Sequence, residues 1–217
     1  QNGYPDKDYK ALTERLRNGF PEAKYIDISG LLSADDFYYT DSHWRQERIT
    51  KVADEIAAQM GAERIGTCEI QDTGRPFYGV YYGQAALPHA PERLFYLDNA
   101  VIRGLKVYNV ETQSDIPVYD LGAAAGRDPY EMFLGGARSI IKITNPNAAQ
   151  ERRLIVFRDS FGSSIAPLLA AGYSEITLVD IRYISPLSLG KLIDFTKADD
   201  VLFLYSASVI NNSETIK

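Results

Sequence analysis

The spacing of apolar residues divides the chain of 217 residues into three parts. In the first part, apolar side chains recur every three or four positions, which is the period of an amphipathic helix. This spacing predicts one helix over Tyr9–Phe20 and a stronger one over Trp44–Met60, which Gly61 should end. A short apolar run predicts a strand at Lys24–Ile28 between the two helices.

The middle of the chain, from about residue 67 to residue 145, has a different pattern. Short runs typical of β-strands are separated there by glycine, proline and aspartate. The runs are Phe77–Tyr82, Arg93–Leu97, Leu105–Val110, Ile116–Leu121 and Ile140–Thr144. We interpret this part as a β-rich insertion in a single domain that comprises residues 1–217.

The last part, from Arg153 onward, alternates strands with short helices. Leu154–Phe157 is apolar at every position, as expected of a parallel strand that is buried on both faces. The further elements predicted in this part are a helix at Ser163–Ala171, a strand at Ile176–Ile181, a helix at Pro186–Phe195 and a strand at Val201–Tyr205. Crossovers of this length imply parallel strands, with functional groups at their carboxyl ends. The pattern therefore predicts an α/β domain.

Composition narrows the classes of function. The formal net charge of −6 argues against a dedicated nucleic-acid binder, which needs a basic surface. The single cysteine, Cys68, excludes both a disulfide framework and a zinc site built from cysteines. No run of 18 apolar residues exists, so no membrane span is expected. Because the chain begins at Gln1 without a methionine, a leader or membrane tether upstream of it is one expectation.

A serine in the segment Arg158–Gly162 follows the strand predicted at Leu154–Phe157. Ser160 should lie at the carboxyl edge of the sheet and at the start of the next helix. Its backbone N–H would then be an unpaired helix N-terminal donor that is available to an oxyanion. The alternative is that Asp159 or Ser160 only caps that helix.

A histidine that could activate this serine lies near the start of the chain. The only histidines are His43 and His89, and Asp41 stands two residues before His43. Because residues i and i+2 of an extended chain point to the same side, the Asp41 carboxylate can accept from Nδ1 of the ring and leave Nε2 free as a base. The alternatives are a partly buried surface histidine beside Trp44 and, for His89, an incidental loop position between prolines.

Other polar features have both chemical and structural interpretations. Gly135 and Gly136 could supply a second backbone donor to the oxyanion or simply form a turn. Arg182 could bind a substrate anion or form an ion pair with Asp159 or Asp180. A metal site is disfavoured, because two histidines are too few for a D-x-H metallophosphoesterase and the C-terminal pattern does not fit a jelly roll around iron.

These segments resemble a known family. Residues 39–44, Tyr-Thr-Asp-Ser-His-Trp, resemble the Y-x-T-D-H-H-W signature of the bacterial DHHW proteins. Arg158–Phe161, Ala166–Leu169 and Val179–Tyr183 resemble the later part of the family pattern, D-S-[FY]…P-[FL]-L…D-x-R-Y. The resemblance extends from about Tyr38 to Tyr205.

The resemblance also implies a fold and an activity. DHHW proteins are similar to the SGNH-hydrolase-like domains of alginate O-acetyltransferases, which carry a D-x-H-W motif and a downstream serine. Carried over, the triad is Ser160, His43 and Asp41. The implied fold is a flavodoxin-like three-layer sandwich with a parallel sheet, and the implied chemistry is acetyl transfer or acetyl-ester hydrolysis on a polysaccharide. A bacterial protein that is secreted or membrane-anchored, and hence extracytoplasmic, is implied as well.

The chain departs from the family pattern at two positions. Ser42 replaces the first histidine of the signature, and Arg158 replaces the glycine that ordinary GDSL esterases have before Asp-Ser. No histidine follows Ser160, so the ordinary GDSL order of serine before histidine is impossible here.

Together, these observations predict a serine-dependent O-acetyl esterase or O-acetyltransferase that acts on an extracytoplasmic glycan without a cofactor. Ser160 is the expected nucleophile, with oxyanion donors at the backbone of Ser160 and Gly136. Substrate contacts are expected from Arg182 and Trp44, and the expected partner is a carbohydrate or acetyl ester rather than nucleic acid. The alternative is a non-catalytic glycan-binding or envelope-assembly protein on the same fold.

Overall fold

The structure is a computed structural model that describes residues 8–85 and 89–212. Its α-helices are α1 (Tyr9–Gly19), α2 (Thr50–Met60), α3 (Val80–Ala85), α4 (Ala100–Gly104), α5 (Phe161–Ile165), α6 (Pro186–Leu189) and α7 (Ala207–Asn211). Its strands are β1 (Glu69–Phe77), β2 (Glu92–Asp98), β3 (Lys106–Asn109), β4 (Ser114–Ile116), β5 (Ile140–Thr144), β6 (Arg153–Arg158), β7 (Glu175–Val179) and β8 (Asp200–Leu204). None of the helices in these ranges has the length and hydropathy needed to cross a membrane.

Six of these strands form one mixed sheet in the order β4-β3-β5-β7-β6-β8. Strand β6 lies between β7 and β8 and is parallel to both, as its uninterrupted apolar sequence predicts. On the other side of β7, β5 pairs antiparallel with it, and β3 pairs antiparallel with both β5 and β4. The protein is therefore a mixed α/β structure, and the wholly parallel sheet of a flavodoxin-like sandwich is not confirmed.

Most of the segment interpreted as an insertion belongs to this sheet. Strands β3, β4 and β5 continue it, and only β1 and β2 form a separate two-stranded sheet. The reason lies in β5, whose Ile141 and Ile143 are buried in the same hydrophobic cluster as Leu154 and Val156 of β6. Burying these side chains requires β5 to lie beside the C-terminal strands.

The two faces of the sheet are covered unequally. On one face, Leu154 and Val156 pack with Val52 and Ile56 of α2 in the large core, which also includes the 3₁₀ segment Ala166–Gly172. On the other face, Ile155 belongs to a smaller cluster that is closed by residues of α6 and the loop after it. The face with the larger core carries α5, the helix that follows Ser160. Packing on this face therefore fixes the position of the candidate site.

Several predicted elements differ in their bounds. Helix α2 begins at Thr50 rather than Trp44, because residues 46–48 form a 3₁₀ turn, and it ends as predicted at Gly61 in a left-handed conformation (φ 65°). Residues 24–28 form no strand. The run predicted at Phe77–Tyr82 is wrong as a strand, because β1 ends at Phe77 and α3 begins at Val80.

Candidate active site

Ser160, His43 and Asp41 lie together at the carboxyl end of β6. The carboxylate oxygen Oδ1 of Asp41 is 2.6 Å from Nδ1 of His43, and Nε2 of the same ring is 2.7 Å from Oγ of Ser160. A carboxylate can only accept a hydrogen bond, so Nδ1 carries the proton and Nε2 is left to accept from the serine hydroxyl. Hydrogen bonds therefore connect Asp41 through His43 to Ser160, and the second of these bonds joins residues that are 117 positions apart.

The hydroxyl of Ser160 is not used as a helix cap. Ser160 has helical backbone angles at the start of α5, and its side chain makes no capping bond. Asp159 takes that role, because its Oδ1 accepts from the N–H of Phe161 at 3.0 Å. Its other oxygen, Oδ2, accepts from the N–H of Ser206 before α7 at 2.7 Å. Among the described residues no acceptor pairs with the backbone N–H of Ser160, so this donor is available to a ligand.

The ring of His43 is held between aromatic side chains. It stacks on Tyr130, with ring centroids 4.0 Å apart and an angle of 16° between the planes, and it meets Phe161 at 5.1 Å. The His43 side chain keeps 14% of its surface exposed. Rotation of the imidazole is therefore restricted while its Nε2 edge still faces Ser160.

Trp44 lies beneath the site and supports it. Its side chain is buried at 4% exposure, and its Nε1–H donates to Oγ of Ser164 at 2.7 Å. The hydroxyl of Tyr130 donates to the same oxygen, also at 2.7 Å. The substrate contact predicted for Trp44 is therefore wrong, because the indole is buried. Trp44 and Tyr130 share the hydroxyl of Ser164, and Tyr130 stacks on His43.

Asp41 is positioned by bonds to both of its carboxylate oxygens. Its side chain is 2% exposed. Oδ1 also accepts from the backbone N–H of His43 at 3.0 Å, and Oδ2 accepts from the N–H of Val80 at 3.0 Å. Burial alone would raise the pKa of Asp41, but the hydrogen bonds from His43 and Val80 outweigh it and hold the pKa below its ordinary value of 3.8. Asp41 is therefore ionised at neutral pH.

The turn before α3 packs directly on the backbone of Asp41. The N–H of Gly79 donates to Oγ1 of Thr40 at 2.9 Å. A Cβ atom at position 79 would lie 2.1 Å from the carbonyl oxygen of Thr40 and 2.5 Å from Cβ of Asp41. Only glycine fits this position, which brings the Val80 N–H within reach of the carboxylate.

The second predicted oxyanion donor is not available. Gly136 has a left-handed conformation (φ 74°), and its N–H donates to the carbonyl of Phe133 at 3.1 Å. Its carbonyl accepts from Arg158 at 3.4 Å. The glycine pair therefore forms a turn, and both backbone groups of Gly136 are already paired.

Arg182 forms the structural ion pair rather than an open anion site. Its Nε and Nη2 bind the two oxygens of Asp180 at 2.9 Å and 2.7 Å, and Asp180 is fully buried. The hydrogen bond to Asp180 raises the pKa of Arg182. This bidentate bond fixes the planar guanidinium on Asp180, so the predicted substrate contact lacks support.

Arg158, which stands where ordinary GDSL enzymes have glycine, is buried behind the serine. Its Nη1 donates to Oγ of Ser163 at 3.1 Å and lies 3.8 Å from Asp180. Burial lowers the pKa of Arg158, although Asp180 opposes this. A Cβ at Gly162 would lie 2.6 Å from Cβ of Arg158, so glycine at position 162 leaves room for the arginine side chain.

His89, the second histidine of the chain, belongs to no cluster of metal-ligating side chains among the described residues. His89 is exposed and stacks on Tyr39 at 4.5 Å. Within residues 8–85 and 89–212, no three His, Cys, Asp or Glu side chains are close enough to hold a metal ion.

The model of the family described as "DHHW protein" matches residues 31–179. This segment is about two thirds of the chain and includes Asp41, His43 and Ser160. The protein belongs to the DHHW family. No curated protein matches it. The family resemblance in the sequence is thus confirmed, and the more distant similarity to alginate O-acetyltransferases stays a prediction.

Solved structures share the fold of this DHHW protein. A DHHW family protein from Eubacterium siraeum is 20% identical, with a TM-score of 0.69 over 98% of this chain and 77% of its own. PatB1 from Bacillus cereus, described with a sulfonyl adduct, is 21% identical, with a TM-score of 0.65 over 90% of this chain and 67% of its own. A second PatB1 structure has a TM-score of 0.59 at 21% identity, over 81% of this chain and 64% of its own. At such identities the likeness shows the fold.

Proposed function

We propose that this DHHW protein is a serine-dependent O-acetyl esterase or O-acetyltransferase that acts on an extracytoplasmic glycan. One observation carries the proposal: hydrogen bonds of 2.6 Å and 2.7 Å connect the carboxylate of Asp41 through His43 to the hydroxyl of Ser160. A nucleophile, a base and a group that orients the base are the components of a Ser-His-Asp triad, and the triad is recognised by this geometry rather than by chain order.

In the first half-reaction Ser160 takes the acetyl group. Its Oγ attacks the carbonyl carbon of the acetyl ester while Nε2 of His43 accepts the hydroxyl proton. The tetrahedral intermediate then collapses, the ester C–O bond breaks, and His43 returns the proton to the departing alcohol. Asp41 keeps the Nδ1–H tautomer and stabilises the imidazolium that forms between these steps.

The second half-reaction removes the acetyl group from Ser160. Water or the hydroxyl of an acceptor sugar gives its proton to Nε2 of His43 and attacks the acetyl carbon. His43 then protonates Oγ of Ser160 as that bond breaks, which restores the free enzyme. Water makes the protein an esterase, and a sugar hydroxyl makes it a transferase.

The negative charge of the intermediate needs a donor near Ser160. The N–H of Ser160 itself is unpaired within the described part of the chain and stands at the start of α5, where donors point outward. Removing one such donor from a serine hydrolase typically costs on the order of 10²–10³ in kcat. Since Gly136 is already paired, Ser160 N–H is the donor that we assign.

Two comparisons support acyl-transfer chemistry. The triad positions lie inside the segment matched by the DHHW family model. PatB1, which shares the fold, is described with a sulfonyl adduct, and such adducts form on activated nucleophiles. The glycan and the extracytoplasmic location rest on the resemblance of residues 39–44 and 158–161 to the DHHW pattern, and on the similarity of that family to alginate O-acetyltransferases.

Hydrolysis of a small activated acetyl ester tests the proposal. We expect Ser160→Ala and His43→Ala each to lower kcat/KM by on the order of 10³-fold or more, with the double variant little worse, because triad members act as a unit. Ser42→Ala is the matched control, since Ser42 is exposed, adjoins both Asp41 and His43, and should keep full activity. Small, additive losses would contradict the proposal and favour a glycan-binding protein.

A further inference from the structure

The peptide group between Asp159 and Ser160 carries the N–H that we assign as the oxyanion donor. Its carbonyl oxygen accepts two hydrogen bonds, one from the N–H of Gly162 at 3.0 Å and one from Nη1 of Arg158 at 3.3 Å. The N–H of the same peptide has no acceptor among the described residues. Both bonds therefore act on the carbonyl and leave the N–H free for a ligand.

The guanidinium group of Arg158 is buried among backbone and hydroxyl acceptors. Arg158 has no exposed surface. Its Nη1 also donates to Oγ of Ser163 at 3.1 Å, and its Nη2 donates to the carbonyl of Gly136 at 3.4 Å. Because a guanidinium group stays protonated in proteins, a buried positive charge lies within hydrogen-bond distance of the peptide that carries the donor.

The carboxylate that faces this charge is shared with a second arginine. Asp180 lies 3.8 Å from Nη1 of Arg158, whereas Arg182 binds both oxygens of Asp180 at 2.9 Å and 2.7 Å. The carboxylate of Asp159 accepts from two backbone N–H groups instead. Within the described residues, Nε of Arg158 has no hydrogen-bond partner. The charge of Arg158 is therefore only partly neutralised by direct contact.

The carbonyl and the N–H of a peptide group share one delocalised bond system. A hydrogen bond to the carbonyl withdraws electrons from the N–H, and such bonds strengthen each other in a low-dielectric interior. We propose that Arg158 polarises the peptide between Asp159 and Ser160, so that the N–H of Ser160 stabilises the oxyanion more strongly. Arg158 is thus a positioning residue that acts through this peptide. The inference rests on the proposed function, because it requires a negative oxygen beside Ser160.

The inference gives one reason for two features of this chain. Gly136 supplies no second donor, because its N–H is paired with the carbonyl of Phe133. Arginine also stands directly before Asp-Ser, where ordinary GDSL esterases have glycine. A positive charge behind the single donor then does part of what a second donor does in an oxyanion site.

An adduct with a trifluoromethyl ketone measures the strength of the oxyanion site. Oγ of Ser160 bonds to the carbonyl carbon, the carbonyl oxygen takes the negative charge, and Nε2 of His43 accepts the proton. Fluorine NMR of the adduct across a pH series gives the pKa of the hemiketal oxygen. We expect Arg158→Gln to raise this pKa by about one unit, because the variant removes a charge that favours the anion. An unchanged pKa would overturn the inference.

Two further variants distinguish charge from structure. Arg158→Lys also loses the planar guanidinium but keeps the charge, so the hemiketal pKa should stay within about half a unit of wild type. Arg152→Gln removes an equal charge just before β6, at the opposite end of the strand, where Arg152 donates to the carbonyls of Met60 and Gly61. It should lower the melting temperature and leave the hemiketal pKa unchanged.

A rise of a full unit in either of these two variants would contradict the role of the Arg158 charge. The lysine variant decides the question alone if Arg158→Gln does not fold. Thermal melting verifies the fold of each variant.

Kinetics separate this inference from the proposed function. For a small neutral acetyl ester, Arg158→Gln should lower kcat on the order of tenfold and leave KM unchanged, because the lost interaction is made only in the transition state. A higher KM with unchanged kcat would contradict the inference. If Ser160→Ala gives the same fluorine spectrum as wild type, the triad proposal fails and this inference fails with it. If the adduct forms on Ser160 but its pKa does not depend on Arg158, only this inference fails.

Discussion

The side chain of Asp41 shows how much a single carboxylate contributes to the site. Three N–H groups donate to it, two on Oδ1 and one on Oδ2, and it is almost fully buried. An amide in its place has only one acceptor oxygen, so its NH₂ group would face a donor. The carboxylate oxygens that orient His43 therefore also stabilise the fold.

Replacing Asp41 with asparagine should affect activity and stability together. We expect Asp41→Asn to lower kcat/KM for an acetyl ester by roughly 10²- to 10⁴-fold, because the amide favours the wrong imidazole tautomer. We also expect a loss of about 1–3 kcal/mol in the free energy of unfolding, because a buried donor loses its acceptor. Ester hydrolysis rates and chemical denaturation measure the two effects.

Asp36→Asn is the matched control for Asp41. Asp36 is buried to a similar degree and accepts from Ser33 and Lys51, and its carboxylate takes no part in the hydrogen bonds that join Asp41, His43 and Ser160. It should lose stability and keep activity. An Asp41→Asn protein that is stable and fully active would remove Asp41 from the triad.

The stability that Asp41 contributes should depend on pH in a defined direction. Its pKa is lower in the folded protein than the ordinary value of 3.8, so folding favours the ionised form. The contribution is therefore complete above about pH 4 to 5 and is lost as the pH falls through the folded-state pKa. The stability difference between wild type and Asp41→Asn should shrink below pH 3.8, and a constant difference would contradict this assignment.

Some of these side-chain roles could be predicted from the sequence, and others could not. The spacing of Asp41 and His43 is local, so their contact could be predicted from the chain direction alone. The contacts of Tyr130 and Val80 with the same residues depend on how distant segments pack, and no local pattern reports them. The oxyanion donor predicted at Gly136 is wrong, because a glycine pair predicts a turn without showing whether its N–H is free.

The turn that leads into α3 positions the carboxylate of Asp41. Gly79 approaches the backbone of Thr40 and Asp41 more closely than any side chain allows. Helix α3 itself starts at Val80, whose N–H reaches Oδ2 of Asp41. The sequence of this stretch predicts a strand, because its tyrosines and valine are typical of strands. Tertiary contact overrides that preference.

Alanine at Gly79 should disturb the site from outside it. The added Cβ must displace the backbone of Thr40 and Asp41, so we expect Gly79→Ala to lose roughly 1–3 kcal/mol of stability and most of the proposed activity toward an acetyl ester. Gly83→Ala in the same helix has nothing within 4 Å and should be neutral or stabilising by up to about 1 kcal/mol, with full activity. Equal activity in the two variants would mean that the turn does not position Asp41.

The fold brings two distant parts of the chain, around His43 and around Ser160, together in one site. Strand β6 and the serine after it could be predicted because a continuous apolar run marks a buried parallel strand. The antiparallel strands β3 to β5 look like an insertion in the sequence, because alternating apolar residues show that a strand is half-buried without naming its neighbour. The mixed sheet therefore becomes visible only from the complete fold.

Covalent labelling of Ser160 tests the central claim most directly. An arylsulfonyl fluoride should react once with the protein, as Oγ of Ser160 attacks sulfur, fluoride leaves and His43 takes the proton. Peptide mass spectrometry should place the sulfonyl group on Ser160 in the wild type, show none in Ser160→Ala, and show much slower labelling in His43→Ala. Labelling that persists in Ser160→Ala, or proceeds equally fast in His43→Ala, would contradict an activated serine at this position.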